Sequence, residues 1–343
     1  MLTTVLSGGL IGLIFGFILQ RTRFCLTGGF RDMYIARNNT LFYAFLIAIT
    51  VESIGVLSLV KLGIIGNPYE EFSVLGAIVG SYLFGIGIVL AGGCATGTWY
   101  RAGEGLLGSW VALFFYMTSA AAMKSGFLVP LNQLIAKRWV INDDLAGQLG
   151  IPVWYLLVFL VAITSFIVIR ELRKPRRQIA SLPSKYKGVR HYLFEKTYHK
   201  YFAGFLIGLV ALIAWPASQL TGRVGGLGIT TPSAHLISYI ITGDSKQLGW
   251  GVFLVLGIFL GSFLAAKGSR EFRWRLPDLS TIGKSTLGGI FMGIGASWAG
   301  GCTIGNGLTA TAIFSSKGWI ALPVTILGVW TASYIIFVKP NKN

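Results

Sequence analysis

Apolar residues in this chain come in long runs, and charge is confined mostly to the segments between them. Nine runs read as candidate membrane spans: Leu2 to Leu19, Leu41 to Val60, Val74 to Ala91, Leu106 to Met123, Val153 to Ile169, Tyr201 to Trp215, Trp250 to Ala266, Thr286 to Ala299 and Trp319 to Val338. Each is near or below the ~20 residues a helix needs to cross a bilayer. The pattern predicts an all-α polytopic membrane protein with about nine transmembrane helices. No basic residue precedes the first run and no small-residue cleavage site follows it; Arg21 and Arg23 come after it. It is expected to be a retained span, not a cleaved signal peptide.

The runs repeat. Gly85-Ile-Gly-Ile-Val-Leu-Ala-Gly-Gly-Cys94 and Gly293-Ile-Gly-Ala-Ser-Trp-Ala-Gly-Gly-Cys302 agree at seven of ten positions, the cysteine included. Gly/Thr-rich residues follow both, Ala95-Thr-Gly-Thr98 and Thr303-Ile-Gly-Asn306. A weaker echo pairs Gly9-Leu-Ile-Gly12 with Phe205-Leu-Ile-Gly208, and the stretch from Cys25 to Gly29 with Thr221 to Gly226. The division this suggests is a first repeat over 1–123, a connecting span and loop over 124–200, and a second repeat over 201–343. Four spans fall in each repeat and one between them. An odd number of crossings separates equivalent helices, so two inverted pseudo-symmetric halves are expected, a transporter signature with the substrate site near the midplane.

Composition agrees with a membrane reading. The hydrophobic fraction is 54% and the charged fraction 12%, with a mean hydropathy of +0.69. A soluble domain carries about twice that charge. The 46 glycines suit helices that approach closely and backbone that turns inside the membrane. A net charge of +17 would point to nucleic acid in a soluble protein. Here the basic residues lie in loops, and no aromatic-basic interleaving for base stacking is present, so no nucleic-acid partner is expected. Between Arg170 and Lys200 ten Lys and Arg stand against Glu171 and Glu195. By the positive-inside rule this loop is cytoplasmic. Arg21, Arg23, Arg31 and Arg37, then Lys267, Arg270, Arg273 and Arg275, and the C-terminal Lys339 and Lys342 fall on the same side. The N-terminus is then external and the C-terminus cytoplasmic. Lys124, Lys137 and Arg138 fall outside, partly offset by Asp143 and Asp144.

The chemistry concentrates on three cysteines, Cys25, Cys94 and Cys302. There is no C-x-x-C, and His191, His199 and His235 form no ligand spacing with them, so no metal site and no cofactor is expected. Without a P-loop, ATP-driven transport by this chain is unsupported. Each Ala-Gly-Gly-Cys motif closes an apolar run. Broken backbone in hydrocarbon is tolerated only where it lines a cavity. Gly92, Gly93, Ala95, Thr96 and Gly97 in one half, and Gly300, Gly301, Thr303 and Gly305 in the other, are therefore candidate pathway residues with their cysteines. Backbone N–H groups, positive helix ends and weak S–H donors would suit an anion there. Gly28 and Gly29 follow Cys25 in the same way. A short helix starting at Thr230-Thr-Pro-Ser233 would bring Gly225, Gly226 and Gly228 toward the centre. The competing reading of Cys94 and Cys302 is as small buried hydrophobes. Glu52, an ionisable group inside the second span, is either functional or a structural partner of a helix end or of Arg23. Lys124 and His235 belong either to an outer vestibule or to the surface.

The motifs Cys25-Leu-Thr-Gly-Gly-Phe30, Ala91-Gly-Gly-Cys-Ala-Thr-Gly97 and Ala299-Gly-Gly-Cys-Thr-Ile-Gly305 resemble those of the YeeE/YedE family over nearly the whole chain. The resemblance implies a permease of the bacterial inner membrane that takes up thiosulfate through a narrowed centre. Cys94 and Cys302 would flank the constriction, and Cys25 would sit on the cytoplasmic side. It also implies a small cytoplasmic sulfur-carrier partner of the TsuB/TusA type. Some members of the family serve other sulfur or selenium compounds. Two other classes compete: a membrane thiol oxidoreductase or sulfurtransferase, which would want a low-pKa thiol and a resolving partner, and a membrane scaffold indifferent to loss of the cysteines.

Topology is directly testable. Reporter fusions at Met1, Ser184 and Asn343 are expected to read outside, inside and inside; an external signal at Ser184 would remove the argument for inverted halves.

Overall fold

The computed structural model describes residues 1–66, 68–173, 188–196 and 198–339. Much of the basic loop, including Lys174, Arg176, Arg177, Lys185 and Lys187, lies outside the described residues, as does Lys342. The apolar runs are helices. A first set comprises α1 (Leu2–Thr22), a short α2 (Leu26–Ile35), α3 (Thr40–Lys61), α4 (Val74–Leu90), a short α5 (Ala95–Gly103) and α6 (Leu107–Ser125). The short α7 (Val129–Ala136) and α8 (Leu145–Leu149), the long α9 (Val153–Leu172) and the short α10 (Val189–Phe194) come next. The second set is α11 (Lys200–Gln219), α12 (Thr230–Thr242), α13 (Trp250–Gly268), α14 (Leu279–Trp298), a π-helical segment (Gly305–Ala310) and α15 (Ser316–Ser333). The strands β1 (Glu71–Ser73) and β2 (Val140–Asn142) form a small antiparallel ribbon, Phe72 opposite Ile141.

The chain is an all-α polytopic membrane protein. Among the described residues seven segments are long and apolar enough to cross a membrane, and α6 with the sharply bent α7 makes an eighth. The ninth expected span, α14, has the length but not the hydropathy: Lys284 sits among Ser, Thr and Gly in its first half. Packing supplies the reason, because α14 lies against both α4 and α6. A helix that contacts protein on two sides has less need of an apolar surface for lipid.

The two sets share one order of elements: long, short, long, long, short, long. They also exchange partners. Helix α1 packs on α13, and α11 packs on α3; α4 packs on α15, and α14 packs on α6. Like meets like where α1 touches α11 and α4 touches α14. Helix α9 stands apart and packs on α3, where Thr50 and Thr164 share a hydroxyl hydrogen bond of 2.9 Å.

Small residues permit these contacts. A Cβ added at Gly12 or Gly16 of α1 would strike the backbone carbonyls of Leu254 and Ile258, and one at Gly261 of α13 would strike that of Leu13. The matching contact uses Gly204 and Gly208 of α11 against Ala44 and Ala48 of α3. Without a hydrophobic drive between helices in lipid, close backbone approach supplies the association energy.

This contact generates a paired expectation. Gly12→Ala must push two backbones apart and should cost about 1–3 kcal/mol by overpacking. Gly9→Ala, where an added Cβ meets nothing within 4 Å, should be neutral or stabilising by up to about 1 kcal/mol through helix propensity. Melting temperatures of the two variants in detergent would test this; equal shifts would contradict the packing account.

Candidate functional site

Two helix breaks are built alike. Helices α4 and α14 end at Ala91 and Ala299, and the next residues, Gly92 and Gly300, both take φ of +70°. Glycine enters that left-handed region without the Cβ penalty, which is why Gly stands at both turns. From the first turn the chain runs into Cys94, the N-cap of α5, whose Sγ accepts from the Gly97 amide at 3.4 Å. At the second turn, Asn306 does the bracing. Its Nδ2 donates to the carbonyls of Ala299 at 2.8 Å and Gly301 at 3.2 Å, and its own amide donates to the Cys302 carbonyl at 2.8 Å. Cys302 therefore leads into the π-helical segment, where Cys94 leads into an α-helix.

The third break separates α1 from α2. Arg23 C-caps α1 with φ of 51°, and Cys25 is the N-cap of α2. Arg101, at the end of α5, ties this break to the first: its Nη2 donates to Cys25 Sγ at 3.3 Å and its Nη1 to the Gly92 carbonyl. All three cysteines are buried and free.

Around the cysteines are buried hydroxyls with no hydrogen-bond partner. They belong to Thr27, Thr96 and Thr303, each one or two residues past a cysteine. A buried hydroxyl left unpaired costs about 1–3 kcal/mol, so one beside each cysteine offers a place where a ligand can repay the cost. In the first turn of α5 the Gly97 amide is taken by Cys94 Sγ, while the amides of Ala95 and Thr96 lack intrahelical acceptors and add donors of the same kind.

Two spaces lie at these breaks, one on the side of each cysteine. Beside Cys94 is a cavity of about 10 Å³ lined also by Thr96, Gly97, Tyr100, Phe24, Phe45 and Ile304. That is room for about one water, and its walls are otherwise aliphatic and aromatic. On the side of Cys302 a vestibule of about 360 Å³ opens, lined by Gly225, Gly226, Gly228, Gly300, Gly301, Gly305 and Asn306. Arg223 and Lys317 stand in its wall with Glu70 and Asp143. Arg223 donates to the Gly226 carbonyl at 3.1 Å and lies over the Trp250 ring. Asp143 accepts from Ser315 Oγ at 2.6 Å and from the Lys317 amide at 2.8 Å, with Lys317 Nζ 3.9 Å away. Burial raises the proton affinity of that carboxyl, and Lys317 and Ser315 oppose the rise.

The expected residues divide accordingly. Cys94, Thr96 and Gly97 line the narrow cavity; Cys302, Gly225, Gly226, Gly300, Gly301 and Gly305 line the vestibule; Thr303 joins Cys302 at a third, small cavity. Gly92 makes the turn, and Gly93 and Ala95 flank Cys94 without lining these spaces. Gly28 and Gly29 lie in α2, Gly29 packed on Leu41. Some expectations need correction. The counterpart of the Cys25 segment is α12, N-capped by Ile229, not the stretch from Thr221 to Gly226. Glu52 does not meet Arg23. Its Oε1 accepts from Trp215 Nε1 at 2.9 Å, while Arg23 bridges Glu104 at 2.7 Å and Glu271 at 2.9 Å. Tertiary packing of α3 on α11 sets that partner, and no local pattern announces it. Lys124 ties α6 to α12 by donating to Thr231 Oγ1 at 2.5 Å; neither it nor His235 lines the vestibule. Arg101, Arg223, Lys317 and Asn306 were missed. Among the described residues no three His, Cys, Asp or Glu are grouped to hold a metal.

Comparison with known proteins accords with this architecture. The sulphur transport family matches residues 21–331. The thiosulfate transporter TsuA of Escherichia coli (strain K12) is 53% identical over 343 residues, covering 100% of this chain and 97% of that protein. TsuA of Spirochaeta thermophila is 33% identical over 345 residues, covering 96% and 98%. The probable transporter YedE of Escherichia coli shares 43% identity over 101 residues, 29% of this chain. A family match spanning nearly the whole chain, with paired cysteine breaks at the centre of a polytopic helical bundle, makes this chain a member of the sulphur transport (YeeE/YedE) family.

Proposed function

We propose that this protein carries thiosulfate inward across the bacterial inner membrane, through a neck between Cys302 and Cys94. The observation that carries the reading is the set of unpaired buried hydroxyls, Thr96 and Thr303, beside the two cysteines of the paired breaks. An oxyanion gives up water to enter a space this small, and donors must replace it. Hydroxyls, first-turn amides and thiol S–H groups supply them without a fixed counter-charge that would trap the anion. The thiols are weak, polarizable donors, suited to the terminal sulfur, while the hydroxyls and amides suit the oxygens. No bond to sulfur forms in this scheme.

Two further parts of the reading concern arrangement. The halves, 1–123 and 201–343, are inverted relative to one another, the N-terminus external and the C-terminus cytoplasmic. The five long helices from α1 to α9 support this, because an odd number of crossings precedes α11. The vestibule is then external, where Arg223 and Lys317 draw anions in. The small sulfur-carrier protein implied by the family would meet the basic cytoplasmic face, to which Arg170, Arg173, Arg190 and Lys196 belong.

The cysteines decide between transport and its rivals. Cys94→Ala or Cys302→Ala is expected to reduce labelled thiosulfate uptake to background while inserted protein stays at wild-type amounts, since a buried Cys packs as a small hydrophobe. Ser at either place should keep part of the uptake, because it keeps a donor; a thiolate nucleophile would lose all of it. Cys25→Ala should cost less, its site having no counterpart in α12. Full uptake by the double Cys94→Ala, Cys302→Ala variant would refute the reading.

A further inference from the structure

The two central breaks are alike in sequence but not in charge. Seven residues after Cys94 stands Arg101, and seven after Cys302 stands Thr309. Both reach the chain that leads into the short helix of their own half. Thr309 Oγ1 donates to the Leu227 carbonyl at 3.0 Å, just before α12. Arg101 donates to Cys25 Sγ at 3.3 Å, the N-cap of α2. One half thus places a neutral hydroxyl where the other places a guanidinium.

The acceptors held by Arg101 are poor ones for a cation. Cys25 offers a sulfur, a weak acceptor, Gly92 a carbonyl, and the Tyr100 hydroxyl a long contact of 3.4 Å to Nε, all of them uncharged. Among the described residues no carboxylate bridges Arg101; the nearby Glu104 and Glu271 are engaged by Arg23, with Arg21 3.5 Å from Glu271 and Gln20 Nε2 donating to it at 2.7 Å. Arg101 is partly buried and lies against the Tyr100 ring, and Tyr100 lines the narrow cavity beside Cys94. Thr27, in the first turn of α2, has a buried hydroxyl without a partner. A guanidinium, a free hydroxyl and the start of a ten-residue helix therefore stand together at the break between α1 and α2, whose Phe24 and Leu26 line the narrow cavity. A planar fork of donors matches two oxygens of an oxyanion, and a charged acceptor binds it more strongly than a thiol sulfur does.

We infer that Arg101, with Thr27 and the first turn of α2, forms an inner receiving site for the anion, where the guanidinium exchanges Cys25 Sγ for sulfonate oxygens. The site makes the path one-sided: a neutral neck is followed by a positive stop at its inner end. The inference rests on the proposed thiosulfate transport and assigns a residue to one end of it.

Membrane vesicles of both orientations separate the two faces. In inside-out vesicles, Arg101→Gln is expected to raise the half-saturating thiosulfate concentration roughly tenfold, the loss of one charge-assisted contact. In right-side-out vesicles the same variant should stay within about twofold of wild type, as its outer vestibule is intact. Arg101→Lys keeps charge but not the fork, and should fall between wild type and Gln on the inner face. If Arg101→Gln fails to insert, Arg101→Lys decides: a rise confined to the inner face supports the site, and wild-type behaviour at both faces overturns it. A purely structural role would lower the maximal rate or shift both faces together, and either result would overturn the inference. Wild-type vesicles that transport from neither face would overturn the functional reading and this inference with it; wild-type transport with an unshifted Arg101→Gln would overturn the inference alone.

Discussion

Backbone that leaves helical geometry inside a bilayer must find its hydrogen-bond partners within the protein. At each central break a side chain meets that requirement. Cys94 Sγ takes the Gly97 amide, Asn306 ties the carbonyls of Ala299 and Gly301, and Arg101 holds the Gly92 carbonyl. Two of the groups that brace the broken chain, Cys94 and Asn306, also line the narrow cavity and the vestibule. Gly92 and Gly300 make such bracing possible, because the left-handed turn sends the chain back toward the centre. The surrounding helices must in turn pack at backbone distance to enclose the breaks, and the glycines of α1, α11 and α13 allow it. Packing, break and path form one dependent series.

Charge is arranged around this neutral centre. One mouth carries Arg223 and Lys317, the latter restrained by Asp143. At the other end Arg101 stands beside Cys25, and Arg21 and Arg23 balance Glu104 and Glu271. Between them lie thiols, hydroxyls and apolar walls. An anion would meet positive groups before and after the narrowest point but not within it. Such an order favours both entry and release, since a fixed cation in a cavity of this size would hold a divalent anion too strongly.

Much of the fold was legible in the sequence, for a physical reason. Spans are long and their chemistry is coarse, so the hydropathy runs at Leu41 to Val60 or Trp250 to Ala266 coincide closely with α3 and α13. The exception, α14, shows the limit: a helix shielded by α4 and α6 no longer needs to look like a span. The breaks were legible because their turn chemistry is strict, Ala-Gly-Gly-Cys in both halves. The correspondence of α2 with α12 was not. Those short helices keep their position but share little sequence, Cys25-Leu-Thr-Gly-Gly against Ile229-Thr-Thr-Pro-Ser. Contacts such as Glu52 with Trp215 and Arg101 with Cys25 join residues 163 and 76 positions apart, and only the folded bundle brings them together.

The central claim is that a sulfur anion passes between Cys302 and Cys94 with its terminal chalcogen against the thiols. Selenosulfate, in which selenium replaces that terminal sulfur, offers the most direct measurement. In crystals of the protein grown with it, anomalous scattering at the selenium edge should give a peak within van der Waals contact of the Cys94 or Cys302 Sγ, at the neck lined by Thr96 and Thr303. A peak found only at the surface or among the basic loops, with none at the neck, would contradict the account.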